Sequence, residues 1–110
     1  MVKISIYRDK NNNWLGFEAT GHARQNFDGE YDLICSAISM HLQTIEYSLD
    51  KKIKNITKTK KDGYLKIIFP EQDKNLISGI EEVFENGVEI LAENYKNIIK
   101  VHNKEVEYHV

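Results

Sequence analysis

Apolar and polar side chains alternate along the first part of the chain. Residues 1–7 carry apolar side chains at every second position, which is typical of a half-buried strand. A polar turn at residues 9–13 separates this strand from a second predicted strand over residues 14–20. Because two strands joined by a short turn are most often antiparallel neighbours, we expect a hairpin here.

Two longer stretches show the three- and four-residue spacing of amphipathic helices. The first is predicted over about 33–50, and the second begins at a capping residue, Asp73 or Asn75. The periodic apolar positions are Leu33, Ile34, Ile38, Leu42, Ile45 and Leu49 in the first helix, and Ile77, Ile80, Phe84, Val88, Leu91 and Tyr95 in the second. Gly79 and Gly87 interrupt the second helix, so we expect it to bend or pack closely there.

A second pair of strands follows the first helix. Alternation is weak over 53–60 and clearer over 64–69, and the Asp62-Gly63 pair between them is a strong hairpin signal. A last strand is expected over 98–110, with an interruption at 102–104.

The order β-β-α-β-β-α-β predicts an α+β fold, with a small, mainly antiparallel sheet and two helices in a single domain over 1–110. Fifteen basic and 17 acidic residues leave a net charge of −2, so direct nucleic-acid binding is not expected. No apolar run approaches the ~20 residues that span a bilayer, and no membrane association is expected. A single cysteine fits a reducing compartment, most simply the cytoplasm.

Cys35 and His22 are the candidate catalytic residues. If Asp32 caps the first helix, Cys35 lies in its first turn, where free N–H groups and the helix dipole favour a thiolate. A histidine nearby would stabilise the thiolate and protonate a leaving group, so we hypothesise a Cys35–His22 dyad. The alternatives are a buried Cys35 that only fills space and a His22 that is a hydrogen-bonded surface group.

Several neighbours of the dyad have two interpretations. Asp32 caps the helix or orients the histidine, and Ser39, one helical turn after the cysteine, is favoured as a packing residue over a hydroxyl near the thiolate. Residues 23–31 are predicted to form a loop that flexes at Gly29, with Phe27 and Tyr31 as aromatic contacts.

Other chemistries find little support in the sequence. Cys35 and the four histidines, at 22, 41, 102 and 109, lack paired ligand spacing, so no metal site is expected. Phosphate-binding glycine motifs are absent, and the lysines between 51 and 61 are interpreted as a solvated charged face.

The residues Gly21-His22-Ala23, Gly29, Asp32, Cys35, Ala37 and Ser39 together resemble the signature of the ribosomal-processing cysteine proteases, the Prp family. That signature is approximately G-H-A, a short loop, then G-x-D-x-V-C-A-A-x-S. Here one additional residue separates Gly29 from Asp32, and Ile34 and Ser36 replace the usual residues beside the cysteine.

The resemblance implies a cytoplasmic cysteine endopeptidase that needs no cofactor, forms a homodimer and removes a short N-terminal extension from a large-subunit ribosomal protein. It implies His22 and Cys35 as the catalytic dyad, with Asp32 and Ser39 in support. Cleavage after an aromatic-rich segment implies an apolar groove under a mobile loop. The alternative is a non-catalytic ribosome-associated assembly or binding module of the same fold; a redox protein is disfavoured because no resolving cysteine exists.

Overall fold

Five strands and two helices follow one another in the predicted order, as an α+β fold. The structure is a computed structural model that describes residues 1–21, 29–70 and 72–106, with the backbone alone for 29–32. The elements are β1 (Val2–Arg8), β2 (Trp14–Thr20), α1 (Gly29–Lys52), β3 (Thr57–Lys61), β4 (Tyr64–Ile68), α2 (Lys74–Asn94) and β5 (Ile99–Glu105).

The strands form one sheet in the order β3-β4-β2-β1-β5. Both predicted hairpins are present, and β2 also pairs antiparallel with β4, whereas β5 runs parallel to β1. The predicted interruption at 102–104 is wrong, because these residues pair in register with Ser5, Ile6 and Tyr7 of β1. A polar sequence can therefore continue the strand as long as a neighbouring strand supplies its backbone partners.

Both helices pack on the same face of the sheet, and one apolar cluster joins them to alternate residues of the strands. Trp14 and Phe17 both enter this cluster, although they are three residues apart. A bulge opposite the Tyr7–Arg8 step shifts the register of the hairpin between them. We expected Leu15 on the same side as Phe17, but the bulge leaves Leu15 buried outside the cluster.

The helix boundaries differ from prediction most at the start of α1. α2 begins as expected, since the Asn75 N–H donates to Asp73 Oδ1 at 2.8 Å. α1, however, begins at Gly29, so the predicted loop at 29–31 is wrong and Asp32 is the fourth helical residue instead of the N-cap.

The two helices approach closely where α2 carries Gly87. The ring of His41 on α1 occupies the space that a Cβ at this position would need, and its Nε2 lies 3.1 Å from the Phe84 carbonyl oxygen. Close packing is therefore confirmed at Gly87, whereas Gly79 faces open space.

Candidate active site

A cavity of about 500 Å³ lies between α1 and the β3–β4 hairpin. Cys35 and Ser39 line it from α1, and Cys35 is half-buried against the apolar core. Its apolar lining residues are Val2, Ala19, Ile38, Leu42 and Leu65, and the remaining lining residues are Gly21, Gln43, Lys60, Lys61, Asp62, Gly63 and Tyr64. The only thiol of the protein thus borders an open, largely apolar cavity, as a nucleophile requires.

The sequence predicts Cys35 in the first turn of α1, but the structure places it further along the helix. It is the seventh helical residue, because the helix begins at Gly29. The N–H groups without an intrahelical partner belong to the first four residues, and the field of the helix dipole weakens beyond the first turn. The helix N-terminus therefore stabilises a thiolate at Cys35 less than predicted. A second group must supply more of that stabilisation.

Gly21 brings the chain to the edge of the same cavity. Its N–H donates to the Gly63 carbonyl oxygen at 3.0 Å, and both residues line the cavity. Its φ of +92° and the nearby Met1 carbonyl oxygen, which a Cβ would overlap, explain why a glycine precedes the histidine. His22 itself lies outside the described residues, but it is bonded directly to a residue of the cavity wall.

The other predicted site residues fall into three groups. Ser39 lines the cavity, and its Oγ accepts a hydrogen bond from Gln43 Nε2 at 2.7 Å. Gly29, Tyr31 and Asp32 lie in the first turn of α1, so the structure brings them onto the helix that carries Cys35. Phe27 lies outside the described residues.

An ion cluster fixes the hairpin wall of the cavity to α1; we call it the Glu46 cluster. Glu46, only 8% exposed, contacts Lys58 Nζ at 2.9 Å and Lys60 Nζ at 3.0 Å. Lys58 also contacts Asp50 at 2.6 Å. Every residue of β3 is exposed, so these ion pairs replace the apolar contacts that hold the other strands. Lys58 and Lys60 are exposed, as the interpretation of these lysines as a solvated charged face predicted, and they also pair with Glu46.

No local pattern predicts that this hairpin forms a wall of the cavity. The Asp62-Gly63 signal predicted the hairpin, but only the tertiary fold determines that it faces α1. Burial opposes ionisation of Glu46, yet the hydrogen bonds and charges of Lys58 and Lys60 outweigh burial and lower its pKa below the usual 4.5.

This lowered pKa predicts how stability depends on pH. A carboxyl group whose pKa is lower in the folded state stabilises the fold at pH values above its unfolded-state pKa. That contribution is lost as the pH falls through its folded-state pKa. We expect Glu46→Gln to lower the free energy of unfolding by about 1–2 kcal/mol at neutral pH. This range is below that of a fully buried ion pair, because solvent screens the partly exposed lysines. The melting temperature measured against pH should show wild type and variant converging as pH falls below 4.5. The exposed Glu89→Gln is the control; a pH-independent gap for Glu46→Gln would contradict this account.

Neither a candidate metal site nor a membrane-spanning helix is found in the described part of the chain. No three His, Cys, Asp or Glu side chains come together there as they would around a metal ion. None of its helices is long and apolar enough to cross a membrane.

Comparison with known proteins identifies the family. The profile of cysteine protease Prp matches residues 1–100. The S. aureus ribosomal processing protease Prp with a covalently linked product peptide is 16% identical, with 94% of this chain and 100% of that chain covered and a TM-score of 0.80. The same protease with a substrate peptide is 17% identical over the same coverage, with a TM-score of 0.77.

The fold is also similar to that of SMU.848 from Streptococcus mutans, at 22% identity, 96% coverage of both chains and a TM-score of 0.77. No curated protein matches the chain. The profile match covers residues 1–100 of the 110 in the chain. The chain belongs to the Prp family of cysteine proteases.

Proposed function

We propose that Cys35 and His22 form a catalytic dyad that removes a short N-terminal extension from a large-subunit ribosomal protein in the cytoplasm. One observation carries the dyad: a single cavity is lined both by Cys35 and by Gly21, the residue bonded to His22. Gly21 therefore links His22 to the cavity that Cys35 lines, although 13 positions separate His22 from Cys35 in the sequence.

The proposed reaction has two steps. The Cys35 thiolate attacks the scissile carbonyl carbon, the C–N bond breaks, and His22 donates a proton to the leaving amine. The N-terminal extension then remains attached to Cys35 as a thioester. Water, deprotonated by His22, attacks this thioester and releases the extension as a carboxylic acid with regeneration of the thiol.

The lining of the cavity supports an apolar substrate segment. Five lining residues are aliphatic, and they come from β1, β2, β4 and α1. A cavity of this size has room for one or two aromatic side chains beside the scissile bond. The similar S. aureus enzyme is a ribosomal processing protease with a peptide ligand, and this supports a ribosomal-protein segment as the substrate here.

The substrate can be tested with two synthetic peptides. The first spans the extended, aromatic-rich N-terminus of the ribosomal protein, and the second has serine in place of each aromatic residue. We expect mass spectrometry to show one cut in the first peptide and at least about tenfold slower cleavage of the second, because apolar side chains supply most of the binding energy. Binding of the first peptide without any cut would favour the non-catalytic assembly module instead.

The role of His22 predicts a change in thiol reactivity. A nearby imidazolium stabilises the Cys35 thiolate, so alkylation by iodoacetamide should reach its half-maximal rate at lower pH in wild type than in His22→Ala. A series of alkylation rates from pH 5 to 10 measures this, and exposed His102 supplies the control variant His102→Ala. Superimposable profiles for wild type and His22→Ala would exclude His22 as the partner.

We also propose that the protein is a homodimer joined through the outer faces of its helices. Exposed apolar residues recur every seven positions on both helices: Leu33, Met40 and Tyr47 on α1, and Leu76, Val83 and Ile90 on α2. These six side chains are 44–72% exposed, and seven-residue spacing keeps them on one stripe of each helix. Two such stripes can be covered together by the same surface of a second copy.

Sedimentation equilibrium tests the dimer. The double variant Met40→Lys/Val83→Lys puts two charges into the proposed interface, and we expect at least about a hundredfold weaker association. Asn55→Lys/Ser78→Lys adds the same charge at exposed positions outside the stripes and should associate like wild type. Identical association constants for both double variants would contradict this interface.

A further inference from the structure

The sheet has a second face, opposite the helices, and the described contacts identify the side chains on it. Tyr64 donates its hydroxyl hydrogen to Glu18 Oε2 at 2.7 Å, and Lys66 Nζ lies 5.6 Å from the ring centre of Tyr7. None of these four residues belongs to the apolar cluster that joins the sheet to the helices. The side chains of β1, β2 and β4 on this face are therefore directed away from the helices; we call it the open face.

Strand register extends the open face to both edges of the sheet. Lys3, Ser5 and Tyr7 of β1 lie directly beside Lys100, His102 and Lys104 of β5, respectively. At the opposite edge Lys61 pairs with Tyr64, and its ammonium lies 5.3 Å from the centre of that ring. Five lysines thus lie on the open face: Lys3, Lys61, Lys66, Lys100 and Lys104.

The open face is strongly basic although the whole chain is slightly acidic. Of the described strand residues on this face, only Glu18 is acidic. The opposite layer carries the balancing charge, because α2 contains five glutamates and a single lysine. The net charge of −2 therefore conceals two surfaces of opposite sign.

This arrangement costs free energy unless an anion is present. Lys3 and Lys100 are direct neighbours on adjacent strands, about 5 Å apart at Cα, and like charges in that position repel. Lys100 and Lys104, four residues apart on the same side of β5, lie about 13 Å apart along the strand. Lysines spaced in this way can contact separate phosphates of one nucleic-acid strand.

We propose that the open face is a docking surface for RNA, which it contacts through the sugar–phosphate backbone. Exposed large apolar residues are confined to Met1 and the two helices among the described residues, so the face offers charge without groups that insert into a lipid bilayer. Lysine side chains on this face can pair with phosphates without reading a base, which favours contact independent of sequence. The choice of RNA as the source of the phosphates rests on the proposed function, because the proposed substrate is a ribosomal protein and such a protein lies beside RNA.

The test uses fluorescence anisotropy with a fluorescein-labelled 20-nucleotide oligouridylate and the full-length protein. Each neutralised phosphate contributes about 0.7 to the slope of log K against log salt. Lys3→Gln/Lys100→Gln should therefore lower that slope by about 1.4 and weaken binding about 20-fold at 0.1 M salt. Lys51→Gln/Lys52→Gln removes the same charge from the end of α1 and should leave both quantities unchanged.

Three outcomes would overturn the proposal: no binding of the oligonucleotide by wild type, equal losses in the two double variants, or tighter binding to phosphatidylserine vesicles than to RNA. The test of RNA binding can fail independently of the test of peptide cleavage. Peptide cleavage by a protein that binds no RNA overturns only the docking surface, and RNA binding by a protein that cuts no peptide overturns only the proposed function.

Discussion

Cys35→Ala is expected to reduce peptide cleavage by at least about a thousandfold, because it removes the only thiol in the chain and with it the covalent step. Cys35→Ser should be nearly as inactive, since a hydroxyl in this position is far less ionised than a thiol. Cleavage is measured with the peptide of the extended ribosomal-protein N-terminus under single-turnover conditions.

Folding and peptide binding should survive both replacements. Cys35 is only half-buried, and alanine and serine are close to it in size, so we expect a loss of stability below about 1 kcal/mol. Ser36→Ala, at the exposed neighbouring position, is the control and should cleave like wild type. Cleavage by Cys35→Ala at more than a tenth of the wild-type rate would contradict a covalent mechanism at this residue.

Gly16→Ala is expected to destabilise the protein more than any other single alanine replacement of a described glycine. Gly16 lies at the bulge of central strand β2 with a φ of +144°, a conformation that L-residues rarely adopt. A Cβ there would also overlap the carbonyl oxygen of Ile67 in β4, which the sheet holds in place. Strain and steric overlap together should cost about 4 kcal/mol in the free energy of unfolding.

Urea denaturation measures this cost, and Gly79→Ala is its control. Gly79 is an exposed helical residue of α2 with open space where a Cβ would lie. Alanine there should stabilise the protein by up to about 1 kcal/mol through helix propensity. A loss below about 1 kcal/mol for Gly16→Ala would show that the strand relaxes without strain.

Periodicity predicted most of the fold, because every element except β3 buries one face against the same core. The start of α1 was the exception, and its physical cause lies in Asp32. A carboxylate is favourable both as an N-cap and within the first helical turn, where it interacts with the helix dipole. The same residue therefore fits a helix starting after it and a helix starting one turn earlier, as the structure has it.

The candidate site was predictable in its parts and not in its assembly. Local signals indicated Cys35 on a helix, Gly21 at the end of a strand and a hairpin at Asp62-Gly63. These three features line one cavity because β4 pairs with β2 and because Lys60 of β3 binds Glu46 of α1, 14 residues away in the sequence. Neither relation leaves a periodic pattern in the sequence. The basic open face was hidden for the same reason, because its lysines come from four strands.

The covalent intermediate gives the most direct test of the central claim that Cys35 is the nucleophile of a processing peptidase. Wild-type protein is mixed with the extended peptide, quenched in acid within milliseconds to seconds, and analysed by intact-protein mass spectrometry. We predict a transient species heavier than the protein by the acylating extension, located at Cys35 by peptide mapping and absent from Cys35→Ala. Cleavage of the peptide with no such species at any time, or an adduct on another residue, would contradict the account.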